Sequence, residues 1–189
     1  ANSLGVNLEI KDMSFDSLLP ALNSGKVDII IAAMTPSEER KEVIDFSEIY
    51  YVSAPVVLIR NENQNNIRSI NDLKTKIVGV QKGSEHEYIV DSQIMPQQTI
   101  TKSKISDLIT QLENKTVDAV ILESAVANAS IKDKPNINIS IESDEIGVAI
   151  GLNKGNKQLL DEINKILNKL KNSGEIDTFV EEAYRLTEE

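Results

Sequence analysis

Phe15-Asp-Ser-Leu-Leu-Pro-Ala-Leu-Asn-Ser-Gly-Lys-Val-Asp-Ile-Ile-Ile31 decides the fold class. Phe15, Leu18, Leu19 and Leu22 recur at helical spacing, so the first half predicts an amphipathic helix with Ser14 as its N-cap. Asn23-Ser24-Gly25 ends it. Val27 to Met34 is a nearly continuous apolar run, as expected of a strand buried on both faces of a parallel sheet. The same unit recurs at Ile105-Ser-Asp-Leu-Ile-Thr-Gln-Leu-Glu-Asn-Lys-Thr-Val-Asp-Ala-Val-Ile121. Leu18 and Leu22 match Leu108 and Leu112, and Val27-Asp28 matches Val117-Asp118. The offset is too long for a solenoid period, so the repetition predicts two related α/β lobes.

Working outward, Val6 to Ile10 alternates as a short strand does. Thr35 fits a helix N-cap, Pro36 the first helical position and Glu38 a capping box. Ser53 to Arg60 predicts a strand, and Asn61 to Asn66 a polar loop. Lys76 to Gln81 predicts a strand, and Ser84 with Glu87 another capping box. Ser106 to Leu112 predicts a helix, and Val117 to Leu122 a buried strand. Ser124 can cap a short helix to Ile131. Ile146 to Leu152 predicts a further strand. Lys157 to Leu170 predicts an amphipathic helix with Leu159, Leu160, Ile163, Ile166, Leu167 and Leu170 inward. Gly174 breaks it before a last helix over about Ile176 to Leu186.

Composition bounds the function. The chain has 189 residues, enough for one large domain or two small lobes. It is 40% hydrophobic but only 4% aromatic, so its core is mostly aliphatic. A formal charge of −10 makes it a poor polyanion binder and argues against nucleic acid and anionic lipid surfaces as partners. The absence of cysteine removes disulfides, thiolate nucleophiles and zinc–sulfur sites. His86 is the one histidine, so multi-histidine metal sites are excluded and a Ser-His-Asp triad would have to use it. Flanked by Glu85 and Glu87, it is expected as an exposed helix residue. No cofactor or metal is expected. No apolar run approaches the ~20 residues that span a bilayer.

Ligands of open α/β sheets bind beyond the carboxyl ends of strands. Three such ends carry informative residues. Ala32-Ala33-Met34-Thr35 runs into Pro36 to Lys41, where Arg40 sits against the dipole preference of a helix start. Two readings stand: a solvated arginine paired with a neighbouring glutamate, or a guanidinium placed to grip a carboxylate. Gln81-Lys82-Gly83-Ser84-Glu85 is a glycine turn opening a helix, a simple turn or a second anion cradle. Glu123 follows the strand ending at Leu122; it either favours its own helix dipole or receives an ammonium. Together, an arginine with helix amides and an opposed carboxylate form the charge pattern of a free amino acid.

The block Phe15 to Thr35, with Glu39-Arg40-Lys41, Asp45-Phe46-Ser47 and Tyr50-Tyr51, resembles the signature of polar amino-acid solute-binding proteins of ABC transporters. Val78-Gly79-Val80-Gln81-Lys82-Gly83-Ser84, Val117 to Glu123, Ile146-Gly147-Val148-Ala149 and Lys154-Gly155-Asn156 follow in the family's order. The resemblance implies a two-lobed type II periplasmic-binding-protein-like α/β fold that closes on its ligand. It implies that Arg40 clamps the ligand α-carboxylate. Thr35 and the Ala33 backbone would bind the α-amino group and carboxylate, Ser84 and the Glu85 amide would reach the carboxylate, and Gln81 would face the side-chain pocket. Glu123 stands where the family usually has an aspartate for the α-amino group, and Ala33 where glycine or serine is common. Family members also have an opening strand, a ligand-contacting loop and a first helix ahead of the position of Val6, so the first lobe is expected to lack its opening strand and helix.

By the same resemblance, lobe 1 would be residues 1–56 plus 150–189 and lobe 2 residues 57–149. The implied function is extracytoplasmic binding of a polar or basic amino acid, such as arginine, lysine, histidine or glutamine, for delivery to an ABC transporter permease. The implied location is the periplasm or a Gram-positive cell surface, with contact to the membrane only through a lipid anchor upstream of this chain. Two alternatives use the same fold. A dehydratase-type enzyme would use Glu123 or His86 as general acid, and a ligand-sensing domain of a membrane receptor would need a membrane span outside these residues.

Overall fold

The computed structural model describes residues 1–188, with side chains as far as residue 183. The chain divides into two compact units. One comprises Ala1–Val52 with Gly147–Glu189, the other Ser53–Ile146.

In the first unit, a 3-10 turn at Phe15–Ser17 leads into α1 (Leu18–Asn23). There follow β1 (Ile29–Met34), α2 (Glu38–Val43), β2 (Ile44–Ser53), β8 (Ile146–Asn153), α6 (Lys157–Asn172) and α7 (Glu175–Glu188). The strands form a sheet in the order β1-β8-β2. Leu22, Ile30, Met34 and Ile44 form one core cluster with Phe15, Leu18 and Leu19 against it. Ile150, Leu152, Ile163 and Leu167 form another, which joins β8 to the apolar stripe of α6.

Three expectations fail here. Val6 to Ile10 is not a strand: its side chains face solvent, with Ile10 82% exposed. A period-2 pattern specifies faces, but a strand also needs a ladder partner, and none is present among the described residues. β1 is not buried on both faces of a parallel sheet. It lies at the sheet edge, antiparallel to β8, with Ile31 61% exposed. Its register shifts between Ile30 and Met34, where Ala33 takes a φ of 50°. The α2 cap is Ser37 rather than Thr35, and its side chain makes no capping hydrogen bond. The Ser37 amide donates to the Thr35 carbonyl, which turns the chain outside the helix and moves Pro36 out of the first helical position.

The second unit holds β3 (Pro55–Arg60), β4 (Ile77–Gln81), α3 (Glu85–Ile89), β5 (Gln98–Lys102), α4 (Ile105–Glu113), β6 (Ala119–Glu123), α5 (Ser124–Ile131) and β7 (Ile137–Glu142). Its sheet order is β5-β4-β6-β3-β7. β4 runs parallel to both β5 and β6, whereas β3 is antiparallel to β6 and β7. Alternate residues of the central strands enter two different cores. Val56, Leu58, Val120 and Leu122 meet Leu108, Leu112 and Ala127 on one face. Val57, Ile59, Ala119 and Ile121 meet Ile67, Leu73, Val90 and Ile94 on the other. Gly79 lies where a Cβ would stand 3.1 Å from a Leu108 methyl and 3.2 Å from a Val120 methyl, so a side chain there would press both by a few tenths of an ångström.

The repeated unit is repeated in structure. After α1, the amides of Ser24, Gly25 and Lys26 donate to the carbonyls of Pro20, Leu22 and Ala21. After α4, the amides of Asn114, Lys115 and Thr116 donate to those of Thr110, Leu112 and Gln111 at the matching positions. Gly25 and Lys115, also matched, take left-handed φ values of 71° and 63°. This is the helix-ending turn that satisfies carbonyls left over by the last turn. The second copy carries an extra support. Arg60 Nη1 donates to the carbonyls of Leu112 (2.8 Å) and Val117 (2.5 Å).

Candidate functional site

In the first unit, the end of β1 and the start of α2 form one group. Arg40 is 7% exposed rather than solvated. Its Nη1 donates to the Thr35 carbonyl at 2.8 Å, and its guanidinium carbon lies 5.7 Å from the centroid of Phe15. The Phe15 ring gives the charge a cation–π contact in place of water. α2 has only six residues, so Arg40 belongs to its first and last turns together, and the dipole opposition expected from the sequence largely disappears. Ala33, on the strained bulge, donates its amide to the Tyr50 hydroxyl at 3.3 Å. Burial raises the Tyr50 phenol above its ordinary value, only partly offset by that amide. The sequence places Tyr50 in the family block without indicating this role.

In the second unit, the carboxyl ends of parallel β4 and β6 lie side by side. Gln81 ends β4, and its Nε2 donates to the Ser103 carbonyl at 3.3 Å. Gly83 turns the chain with a φ of 75°. Ser84 then caps α3 as expected: its hydroxyl donates to the Gln81 carbonyl and accepts from the Glu87 amide. Glu87 reaches back to the turn, its Oε2 accepting from the Gly83 amide at 2.6 Å. Glu85 is the first residue of α3 and half-buried.

Glu123 ends β6 and is only 8% exposed. It is itself the N-cap of α5, displacing Ser124 from that role, yet its side chain makes no capping bond. Its Oε1 lies 3.3 Å from His86 Nε2, an ion-pair distance. Neither His86 Nε2 nor Glu123 Oε2 has a hydrogen-bond partner. A buried carboxylate oxygen without a donor is costly, and such groups are rare unless something else supplies the donor.

His86 overturns the expectation of an exposed helix residue. It is 7% exposed, on the inner face of α3. The sequence does carry a signal for this: His86, Ile89 and Val90 fall at i, i+3 and i+4, and Ile89 and Val90 both join the core. The structure therefore assembles two groups, Ala33, Thr35, Arg40 and Tyr50 in one unit and Gln81, Ser84, Glu85, His86 and Glu123 in the other. Among the described residues no group of three or more His, Asp or Glu is placed to hold a metal ion.

Arginine against a strand end in one unit, and an unsatisfied acid at a parallel strand end in the other, accompany a sequence match over residues 1–185 to the bacterial extracellular solute-binding proteins of family 3. The chain belongs to that family. It is 34% identical over 184 residues to the arginine-binding extracellular protein ArtP of Bacillus subtilis, covering 94% of this chain and 71% of ArtP. A probable histidine-binding protein of Campylobacter jejuni is 28% identical over 184 residues, covering 95% of this chain and 71% of that protein. Among solved structures, the amino acid ABC transporter substrate-binding protein AbpA of Streptococcus pneumoniae, bound to L-arginine, superposes with a TM-score of 0.94. It is 34% identical, and the match covers 100% of this chain and 81% of AbpA. The fold is thus the mixed α/β, two-sheet fold of the family's solute-binding proteins.

Proposed function

We propose that this chain binds a free polar or basic amino acid outside the cytoplasm and delivers it to an ABC importer. The observation that carries the reading is Glu123: a buried carboxylate at a parallel strand end, with one oxygen lacking any hydrogen-bond donor. An ammonium group supplies that donor and the compensating charge together. The names of the relatives support the ligand class: arginine, histidine, cystine and glutamine are what they are said to bind.

In this reading Glu123 takes the α-ammonium and Arg40 the α-carboxylate, for which a planar two-donor fork suits guanidinium better than lysine. Thr35 and the Ala33 backbone bind the α-amino group and carboxylate. Ser84 and the Glu85 amide reach the carboxylate, and Gln81 contacts the ligand side chain. The protein acts by binding alone, supported by relatives that are binding proteins. A lipid anchor outside these residues and a membrane permease complete the transport role.

The test is a thermal-shift screen against the proteinogenic amino acids. A ligand at 100 times its dissociation constant adds about 2.7 kcal/mol of stability. A raised midpoint with one or a few polar or basic amino acids is expected. No shift with any of them refutes the proposal, and conversion of the bound amino acid during incubation refutes its non-enzymatic part.

A further inference from the structure

His86 and Glu123 form a buried pair whose chemistry goes beyond holding an ammonium. The acid is 8% exposed and the imidazole 7%. Glu123 is the ion-pair partner of His86 among the described residues, at 3.3 Å. Other titratable groups lie on α3, on the turn after it and beside β4. Glu87 accepts the Gly83 amide, and Asp91, in the π-helical turn Val90–Ile94 that follows α3, accepts the Thr99 hydroxyl at 2.6 Å. Glu85 is half-buried at the start of α3, Lys82 is exposed just after β4, and Lys76 flanks its other end. No cation other than His86 stands within ion-pair distance of Glu123 among the described residues.

One carboxylate therefore faces a resident group that becomes cationic on protonation, and has its second oxygen, Oε2, without a partner. We propose that a proton on His86 and the ammonium of the ligand compete for Glu123, so that ligand binding is coupled to loss of that proton. The proposal rests on the amino-acid-binding reading. With neutral imidazole, the full charge of Glu123 is available to the ammonium. With imidazolium, the carboxylate is already paired, and a second cation enters against the first with little water between them. Binding expels the proton to solvent, and acidification expels the ligand; linkage makes the two effects equal.

The single histidine makes the test direct, because one imidazole signal reports one site. Its proton NMR resonance is followed from pH 8 to 5 in the intact chain, without ligand and saturated with L-arginine. Coupling of at least about fivefold is expected, the lower end of ordinary linkage. It lowers the imidazole midpoint by about 0.7 pH unit and weakens L-arginine binding about fivefold at pH 5 relative to pH 8. In His86→Gln, calorimetric affinity should be flat over that range. Overlapping imidazole titrations with and without saturating L-arginine overturn the coupling while leaving amino-acid binding standing. A pH dependence that persists in His86→Gln overturns the coupling equally. Should His86→Gln fail to fold, the wild-type titration alone decides. Absence of any thermal shift with L-arginine or other amino acids overturns the binding reading itself, and the coupling with it.

Discussion

Replacing Glu123 by glutamine should weaken binding without lowering ligand-free stability. The side chain keeps its volume and loses its charge. In the wild type, Oε1 lies 3.3 Å from His86 and Oε2 has no hydrogen-bond partner, while the residue is 8% exposed. A charge-assisted hydrogen bond from a ligand ammonium to such an oxygen contributes about 1.5–3 kcal/mol net, or about 10- to 150-fold in dissociation constant. Taking about 30-fold, a ligand held at 100 times the wild-type constant stabilises wild type by about 2.7 kcal/mol and Glu123→Gln by only about 0.9 kcal/mol. The unliganded variant should be no less stable than wild type at pH 8, because neutralising a desolvated and half-satisfied acid removes a burial cost. Calorimetry gives the first quantity and ligand-free thermal melts the second. An unchanged dissociation constant would refute the assignment of Glu123 to the ligand ammonium. A large drop in ligand-free stability with unchanged affinity would make the role of Glu123 structural instead, through its pairing with His86.

Arg40→Met preserves a stem able to pack on Phe15 while removing the guanidinium. Losing one partner of a desolvated charge pair costs about 2–5 kcal/mol, so affinity measured by calorimetry should fall at least about 30-fold, with the circular dichroism spectrum of the folded chain retained. Arg60→Met should act on the fold, not the ligand: it strips Nη1 from the carbonyls of Leu112 and Val117 and leaves them buried. A loss of about 3 kcal/mol is expected in chemical denaturation, and ligand affinity of the folded fraction should not change. Asp72 is held below its ordinary 3.8, chiefly by the Arg68 amide, then by the Ser69 hydroxyl and amide. A depressed acid stabilises above its ordinary value and loses that contribution as pH falls through the folded one. Asp72→Asn should therefore melt lower than wild type near neutrality, and the difference should close on acidification below the ordinary value.

The legible part of this fold is the part whose instructions are local. A helix, a turn and an aliphatic strand are written into consecutive residues, which is why the units around Gly25 and Lys115 share their leucine and Val-Asp positions in the sequence itself. Partnering is not written locally. Val6, Leu8 and Ile10 alternate as a strand does and pair with nothing among the described residues. Ile137, Ile139 and Ile141 alternate equally and form β7, because β3 offers them an edge. β5 escapes a sequence reading for the same reason: Gln98-Thr-Ile-Thr-Lys102 has one strongly apolar residue, and its place is set by β4 alongside. For the candidate site, the positions of Arg40, Ser84 and Glu123 follow from where strands end. The burial of Arg40 and His86 does not, since it depends on Phe15 in one unit and on the inner face of α3 in the other.

Satisfaction, more than burial, distinguishes Arg60 from Glu123. Arg60 and Glu123 are equally hidden, at 8% exposure, and both sit at ends of neighbouring strands in one sheet. Arg60 commits its donors to the chain's own carbonyls, with Glu62 at 3.2 Å and Asp118 at 3.5 Å completing its surroundings. Asp118 in turn accepts the Ile77 amide at 2.9 Å and so fixes the start of β4. Nothing in that arrangement calls for a further molecule. Glu123 occupies a site of similar depth with a competent acceptor left over, and its neighbour His86 has an unmatched nitrogen too. The fold satisfies one buried charge fully on β3 and leaves an acceptor of another unmet on β6, where a cation could meet it.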